Sequence, residues 1–217
     1  MNVNSLAIID NDSWTVSAMV DYLSRYLSDA DIMWTACSGQ ESLTKFRETG
    51  KPRVLLIDIS LGDMSGIDVI RRIRQYDGTT AAIAMTAFPP ERYAAAVRHA
   101  GGQALVGKRP AAKIVDTVIQ VRQGQVGEAV AGVSFLTVPQ AYIHVSAEKP
   151  TGIDALSPTE RSIVELCAKG LTSLEIAAYL GKAPATINTH LQRALDKAGA
   201  RNRVHLVAMW LQSKNMM

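Results

Sequence analysis

The chain has 217 residues, 47% apolar and 20% charged, which excludes a disordered or fibrous protein and leaves room for two small domains, each with its own core. Its net charge of +3 is unevenly placed: residues 1–150 carry 15 basic against 15 acidic side chains, whereas 151–217 carry 8 against 5. An acidic partner, nucleic acid above all, therefore belongs to the C-terminal part. No apolar run approaches the ~20 residues of a membrane span, and no basic stretch leads an apolar one at the start. A cytoplasmic location without a membrane partner is expected. The lone Cys37 and Cys167 lie in apolar segments without metal-ligand spacing and are expected as buried thiols.

From Leu6 to about Gly124 strand-like and helix-like segments alternate five times, the pattern of a doubly wound parallel sheet. The strands are Leu6 to Ile9, Ile32 to Ala36, Val54 to Ile57, Ala81 to Met85 and Ala104 to Val106. A first helix carries Val16, Met19, Val20, Leu23 and Leu27 at a 3.6-residue period, and Ser38 with Glu41 forms a capping box for the second. The third presents Val69, Ile70 and Ile73, the fourth runs from about Glu91 to Ala100, and the fifth carries Ile114, Val115, Val118 and Ile119. These predict an α/β fold of five βα units, (βα)5 and flavodoxin-like, over residues 1–124.

Residues 125–153 break the rhythm with glycines, Pro139 and Pro150, and predict a linker with one short strand or helical turn. An all-α block over 154–217 follows. Ser157, Pro158 and Glu160 open a helix that Gly170 stops; Thr172 and Glu175 open a second that Gly181 stops; Pro184 opens a third, and a fourth starts near Asn202. A short helix, a tight turn and a longer helix make a helix-turn-helix within a four-helix domain.

Chemistry concentrates at the strand ends. Asp10 and Asp58 each close an apolar strand, where ligands bind in open α/β sheets. Phosphoryl transfer to a carboxylate needs an acceptor oxygen, a divalent cation and further donors. Asp58 is expected as acceptor, Asp10, Asp58 and the Ser60 carbonyl as magnesium ligands, Thr86 as a hydroxyl donor and Lys108 as a cation for the phosphate. Singly, an aspartate after a strand also reads as a turn or helix cap, and Thr86 or Lys108 as structural or solvated. Their joint placement favours the site.

The stretch Val54 to Gly66, VLLIDISLGDMSG, with Asp10, Thr86 and Lys108, resembles the receiver domain of response regulators over residues 3 to about 123. The resemblance implies that a histidine kinase or another phosphodonor phosphorylates Asp58, with Mg2+ as cofactor, and that Thr86 and Lys108 sense the phosphoryl group. The resemblance adds Asn11 to the magnesium ligands as a neutral oxygen where an acid is usual, and the chain departs from the pattern also at Gly62, where proline is usual, and at Leu105, where an aromatic is common. These departures support an alternative: a receiver transcription factor working without phosphorylation, as a constitutive dimer or through another ligand. An aspartate-nucleophile phosphatase, suggested by Asp10, Asn11 and Asp12, is disfavoured by Trp14, where that motif wants Thr or Val, and leaves the helical half unexplained.

Residues Leu156 to Val207 resemble the DNA-binding domain of the NarL/LuxR family through Glu160, Gly170, Glu175, Ile176, Ala177, Leu180, Thr186, Ile187, His190 and Arg203. On the helix opened by Pro184, Ile187, Leu191 and Leu195 face inward, and Asn188, Thr189 and Gln192 project toward base edges, an arrangement suited to adenine. Thr186 suits a phosphate at the helix start. His190 reads equally as a phosphate contact or as a packed histidine. Arg193, Lys197, Arg201 and Arg203 are candidates to follow the backbone. The stripe Leu206, Met209 and Trp210 reads as core, and the resemblance adds a role in pairing two domains into a homodimer. The expectation is a DNA-binding response regulator, not an enzyme; nothing is assigned to His99, His144 or His205.

Overall fold

The computed structural model describes residues 3–148 and 152–215, without the side chains of Asp154 and of residues 212–215. The chain divides into two compact units, residues 1–148 and 149–217.

In the first unit, strands β1 (Ser5–Ile9), β2 (Asp31–Ala36), β3 (Val54–Asp58), β4 (Ala81–Thr86) and β5 (Ala104–Gly107) form one parallel sheet in the order β2-β1-β3-β4-β5. The chain steps outward from β1 to β2 and returns past β1 to β3, so the ends of β1 and β3 lie side by side where the winding reverses. The central strands are buried along their whole length, which is why they read as continuous apolar runs rather than alternating ones. Leu6, Ile8, Val54, Leu56, Ile83, Met85 and Val106 face helices α1 (Ser13–Tyr26) and α5 (Ala111–Arg122), meeting Leu23, Ile114 and Val118. Residues of the other parity, Ala7, Ile9, Leu55 and Ile57, are equally buried on the opposite face. Helices α2 (Gly39–Glu48), α3 (Gly66–Arg74) and α4 (Ala94–Ala100) complete the unit, α4 preceded by a 3-10 turn over Pro90–Arg92. Cys167 is buried, but Cys37 is exposed, because it lies past the end of β2 in the turn to α2.

The stretch expected as linker is largely part of this unit. Gly127 N–H donates to the Gln103 carbonyl at 3.0 Å, Val130 and Val133 form an antiparallel bridge, and Phe135 is buried. Residues Val138–Ala147 then form α6, opened by a Thr137/Gln140 capping box and packed against α3 and α4 through the buried Ala141 and Val145. The alternation Tyr142, Ile143, His144, Val145 that suggests a strand belongs to this helix. Part of the expected linker, residues 149–151, lies outside the described residues.

At the foot of the sheet, Arg74 is fully buried and donates to four oxygens. These are the carbonyls of Gly101 (3.2 Å), Asp77 (2.9 Å) and Thr80 (2.7 Å) and Gln103 Oε1 (2.9 Å). Gln103 Oε1 also accepts from Ala82 N–H and its amide donates to Gly101, so one network joins α3, β4 and the entry to β5.

The second unit holds α7 (Pro158–Ala168), α8 (Ser173–Leu180), α9 (Pro184–Ala198) and α10 (Arg203–Asn215), preceded by a 3-10 turn over Gly152–Ala155. Both capping boxes, Ser157/Glu160 and Thr172/Glu175, are formed, and Gly181 and Gly199 end α8 and α9 in left-handed geometry, which glycine adopts without penalty. Glu160 also lies 2.8 and 3.0 Å from Lys197, tying the start of α7 to the end of α9. Burial works against its ionisation, but Lys197 and Ser157 outweigh it and hold the carboxyl below its usual range.

Candidate functional site

The sheet edge gathers the chemistry. Asp10 N–H extends the ladder to the Ala36 carbonyl (3.1 Å) and Lys108 N–H extends it to Thr86 (2.8 Å). The strands thereby set Asp10, Asp58 and Lys108 around one point. Lys108 Nζ lies 2.6 Å from Asp10 Oδ2 and 3.0 Å from Asp58 Oδ2, and both carboxylates are buried. Burial drives the Asp58 carboxyl above its ordinary value; Lys108 opposes this and the Asp10 charge adds to it. For Lys108, burial favours the neutral amine, but hydrogen bonds and charge from Asp10 and Asp58 prevail and raise its pKa. Asp10 Oδ1 accepts Asp12 N–H at 3.1 Å. Oδ2 is the oxygen that meets the Lys108 ammonium.

Thr86 lies one step beyond Met85, the residue across from Asp58, and is buried. Its Oγ1 accepts Phe88 N–H at 3.0 Å, and its own proton is left to donate. Asn11 and Ser60 are exposed at the rim. Asp12 stays out of the cluster because it caps α1: Oδ1 accepts Trp14 N–H (3.1 Å) and Oδ2 accepts the Thr15 hydroxyl (2.7 Å).

The loop after Asp58 is held by a residue that the sequence does not flag. Asp63 accepts the N–H groups of Gly39 and Gln40, each at 2.9 Å, placing its charge at the N-terminus of α2. Gly62 precedes it at φ +85°, and a Cβ on Gly66 would stand 2.0 Å from the Asp58 carbonyl. That contact is with backbone, so only glycine lets α3 start against the strand that carries Asp58.

In the second unit, Ile187 and Leu191 of α9 are buried with Ala194 and Ala198, while Leu195 is half-buried. Thr186, Asn188, Thr189, Gln192 and Arg193 are exposed. The Thr189 hydroxyl donates to the Ala185 carbonyl, and the Gln192 amide to Asp196 at 3.0 Å. His190 is half-buried and its Nδ1 is buried without a hydrogen-bond partner among the described residues. Two cations expected along a nucleic-acid backbone are engaged within the unit. Lys197 pairs with Glu160, and Arg203 donates to the Leu171 carbonyl and to Ser173 Oγ, anchoring α10 to the turn before α8. Arg193 and Arg201 remain exposed.

The dimer stripe is corrected. Leu206 and Trp210 are buried in a core with Ile153, Leu156, Val164, Ala194 and Ala198, and Met209 packs against it. The exposed apolar positions of α10 are Val204, Ala208 and Leu211, on another face of the helix. At the start of α9, Ala183 is the N-cap and makes no side-chain cap bond. Replacing it with serine is expected to stabilise the second unit by about 1 kcal/mol, read as a higher calorimetric midpoint; an unchanged midpoint would refute the vacancy at this cap.

Comparison with known proteins agrees with both units. Residues 6–119 match the response regulator receiver domain, and residues 154–210 match the bacterial regulatory proteins of the luxR family. The probable transcriptional regulatory protein SgaR of Hyphomicrobium methylovorum is 28% identical over 79% of this chain and 76% of its own length. The response regulator protein VraR of Staphylococcus aureus is 26% identical over 95% of both chains. Among solved structures, the RcsB response regulator of Salmonella typhimurium superposes with a TM-score of 0.53 at 20% identity, over 98% of this chain and 100% of its own. RcsB of Salmonella enterica serovar Typhimurium, bound to promoter P1flhDC in the presence of phosphomimetic BeF3-, gives 0.52 at 20% identity over 98% and 100%. No helix among the described residues is long and apolar enough to cross a membrane. With a receiver domain followed by a LuxR-type domain, the chain belongs to the response regulators.

Proposed function

We propose that this chain is a DNA-binding transcription factor switched by phosphorylation of Asp58, the phosphoryl group coming from a histidine kinase or a small phosphodonor. The observation that carries the reading is the convergence of two buried carboxylates and one ammonium at the reversal point of the sheet. An Asp58 oxygen attacks phosphorus, the bond to the donor's leaving group breaks, and an acyl phosphate results. Burial raises the basicity of that oxygen. Lys108 then faces the phosphoryl oxygens as a point charge, and the Thr86 proton donates to one of them.

The oxygen-only donor set, with two buried carboxylates converging on one point, suits a hard divalent cation. Asp10, Asp58, the Ser60 carbonyl and Asn11 would hold Mg2+. When bound, the ion neutralises phosphoryl charge. Asn11 supplies a neutral oxygen where an acid is usual, and Asp12 is committed to capping α1. This weakens the metal site and is what favours the second reading, a receiver working without phosphorylation.

DNA contact is assigned to α9, with Asn188 and Gln192 toward bases, Thr189 and His190 beside them, and Thr186, Arg193 and Arg201 toward phosphates. Arg203 acts through its anchoring of α10. A homodimer on a two-fold-related site is part of the proposal, and the exposed Val204, Ala208 and Leu211 offer it an apolar face. The RcsB complex with promoter DNA and a phosphomimetic supports this combination of activities in a protein of the same fold.

Acetyl phosphate and Mg2+ are expected to add one phosphoryl mass to the wild-type chain and none to Asp58→Ala, by intact mass spectrometry. No gain on the wild type would instead support the phosphorylation-independent reading.

A further inference from the structure

We infer that His99, His144 and Glu148 form a binding site for a divalent transition-metal ion, zinc in the first instance, on the face of the first unit where α6 packs against α4. This site is separate from the Asp58 cluster and does not depend on the function proposed for it. The juxtaposition is created by the helix that the linker expectation overlooked. His144 and Glu148 stand four residues apart at the end of α6, and His99 is contributed by the last turn of α4.

The distances favour coordination over simple pairing. Glu148 Oε1 lies 3.4 Å from His99 Nδ1 and 3.6 Å from His144 Nε2, and all three ligand atoms lie within 4.8 Å of one another. Both separations exceed a normal hydrogen bond. They match the edge of a tetrahedron around zinc, which is roughly 3.3 Å for bonds of about 2.0–2.1 Å. The two imidazole rings, with centroids 5.3 Å apart and planes inclined at 56°, are not stacked and need only a modest approach to close the third edge. Two histidines and one carboxylate are a donor set that zinc accepts, with a fourth position open to water. Magnesium and calcium, which require oxygen ligands, are discriminated against.

The carboxylate is also held as metal-ligating carboxylates usually are. Glu148 Oε2 accepts Arg71 Nη1 of α3 at 2.6 Å, which leaves Oε1 turned toward the histidines. The Arg71 charge lowers the affinity for a cation, and the exposed histidines give up little on binding. A site of moderate affinity follows. Its ion would bridge α4 and the end of α6, with Arg71 linking α3, and so fix the last residue of the first unit.

The test is calorimetric titration of the full chain with zinc chloride. One equivalent is expected to bind with a dissociation constant of about 10 μM or tighter, corresponding to roughly −7 kcal/mol. His99→Ala with His144→Ala is expected to lower the affinity at least tenfold, whereas Asp116→Asn, at an exposed carboxylate of α5, leaves it unchanged. Magnesium chloride should produce no heat that this double substitution removes. A second reading needs no substitution: cobalt(II) added to the wild-type chain should broaden the imidazole resonances of His99 and His144 before those of His190 and His205. No saturable zinc binding by the wild type, equal binding by the double variant, or uniform broadening of all four histidines would each overturn the assignment.

Discussion

Arg74→Ala is expected to destabilise the first unit by about 3–5 kcal/mol and to lower its calorimetric midpoint by on the order of 10 °C. The guanidinium is fully buried and satisfies three carbonyls and the Gln103 side chain. Removing it takes a donor from each of these four acceptors, of which the Gly101 carbonyl and Gln103 Oε1 keep a second one, and opens a cavity the length of its side chain. Burial brings its pKa down to about 10, still well above neutrality, so at neutral pH the cation and all its donors are present. Arg74→Lys should recover only part of the loss, because one ammonium cannot span the positions that the planar fork reaches. The second unit shares none of these bonds, and its transition should stay in place. A loss below about 1 kcal/mol would show that the network contributes little.

The second large effect is electrostatic. Lys108→Met should cost the first unit about 2–3 kcal/mol at pH 7, because it leaves Asp10 and Asp58 buried beside each other with no cation between them. The pH dependence has a definite sign. Asp58 has a folded pKa raised above its unfolded value by burial, against the opposing Lys108. The folded state therefore holds the proton more tightly, and that contribution is present below the unfolded pKa and lost as pH rises through the folded one. Without Lys108 the folded value rises further. The variant's deficit should shrink as pH falls from neutrality into the carboxylate range, and added Mg2+ should reduce it at pH 7. Lys108 itself, also raised, protects the wild type until pH climbs through its folded pKa. Equal deficits at pH 5 and pH 7, measured by urea unfolding, would refute the arrangement.

What was legible in the sequence follows the range of the forces involved. Continuous apolar runs, capping boxes and terminal glycines are local signals, and they place the strands of the sheet and the four helices of the second unit within a residue or two. Asp10, Asp58 and Lys108 are legible because a strand end has a fixed position in a parallel sheet. Features set by which neighbour arrives are not. Helix α6 buries only Ala141 and Val145 fully, too narrow a stripe to announce a helix, and what makes it pack is the surface of α3 and α4. On α10, Leu206 with Trp210 and Val204 with Leu211 are both apolar pairs at helical spacing, and only the fold decides which is core. Arg74 follows Arg71 and Arg72 within one short helix, and nothing in that run distinguishes the buried arginine from the others. The grouping of His99 with His144 and Glu148 depends on the same unannounced docking of α6.

The strand order also governs how the chain comes together. Every pair in the sheet is parallel, so no two strands can join through a tight hairpin, and β3 must find β1 across the whole of α1, β2 and α2. Such distant pairings incur loop-closure entropy before any contact repays it, whereas the second unit is built from short helices joined by tight turns. The first unit is accordingly the slower to assemble, and until β3 docks, the apolar strands that later carry Asp10 and Asp58 are exposed to aggregation.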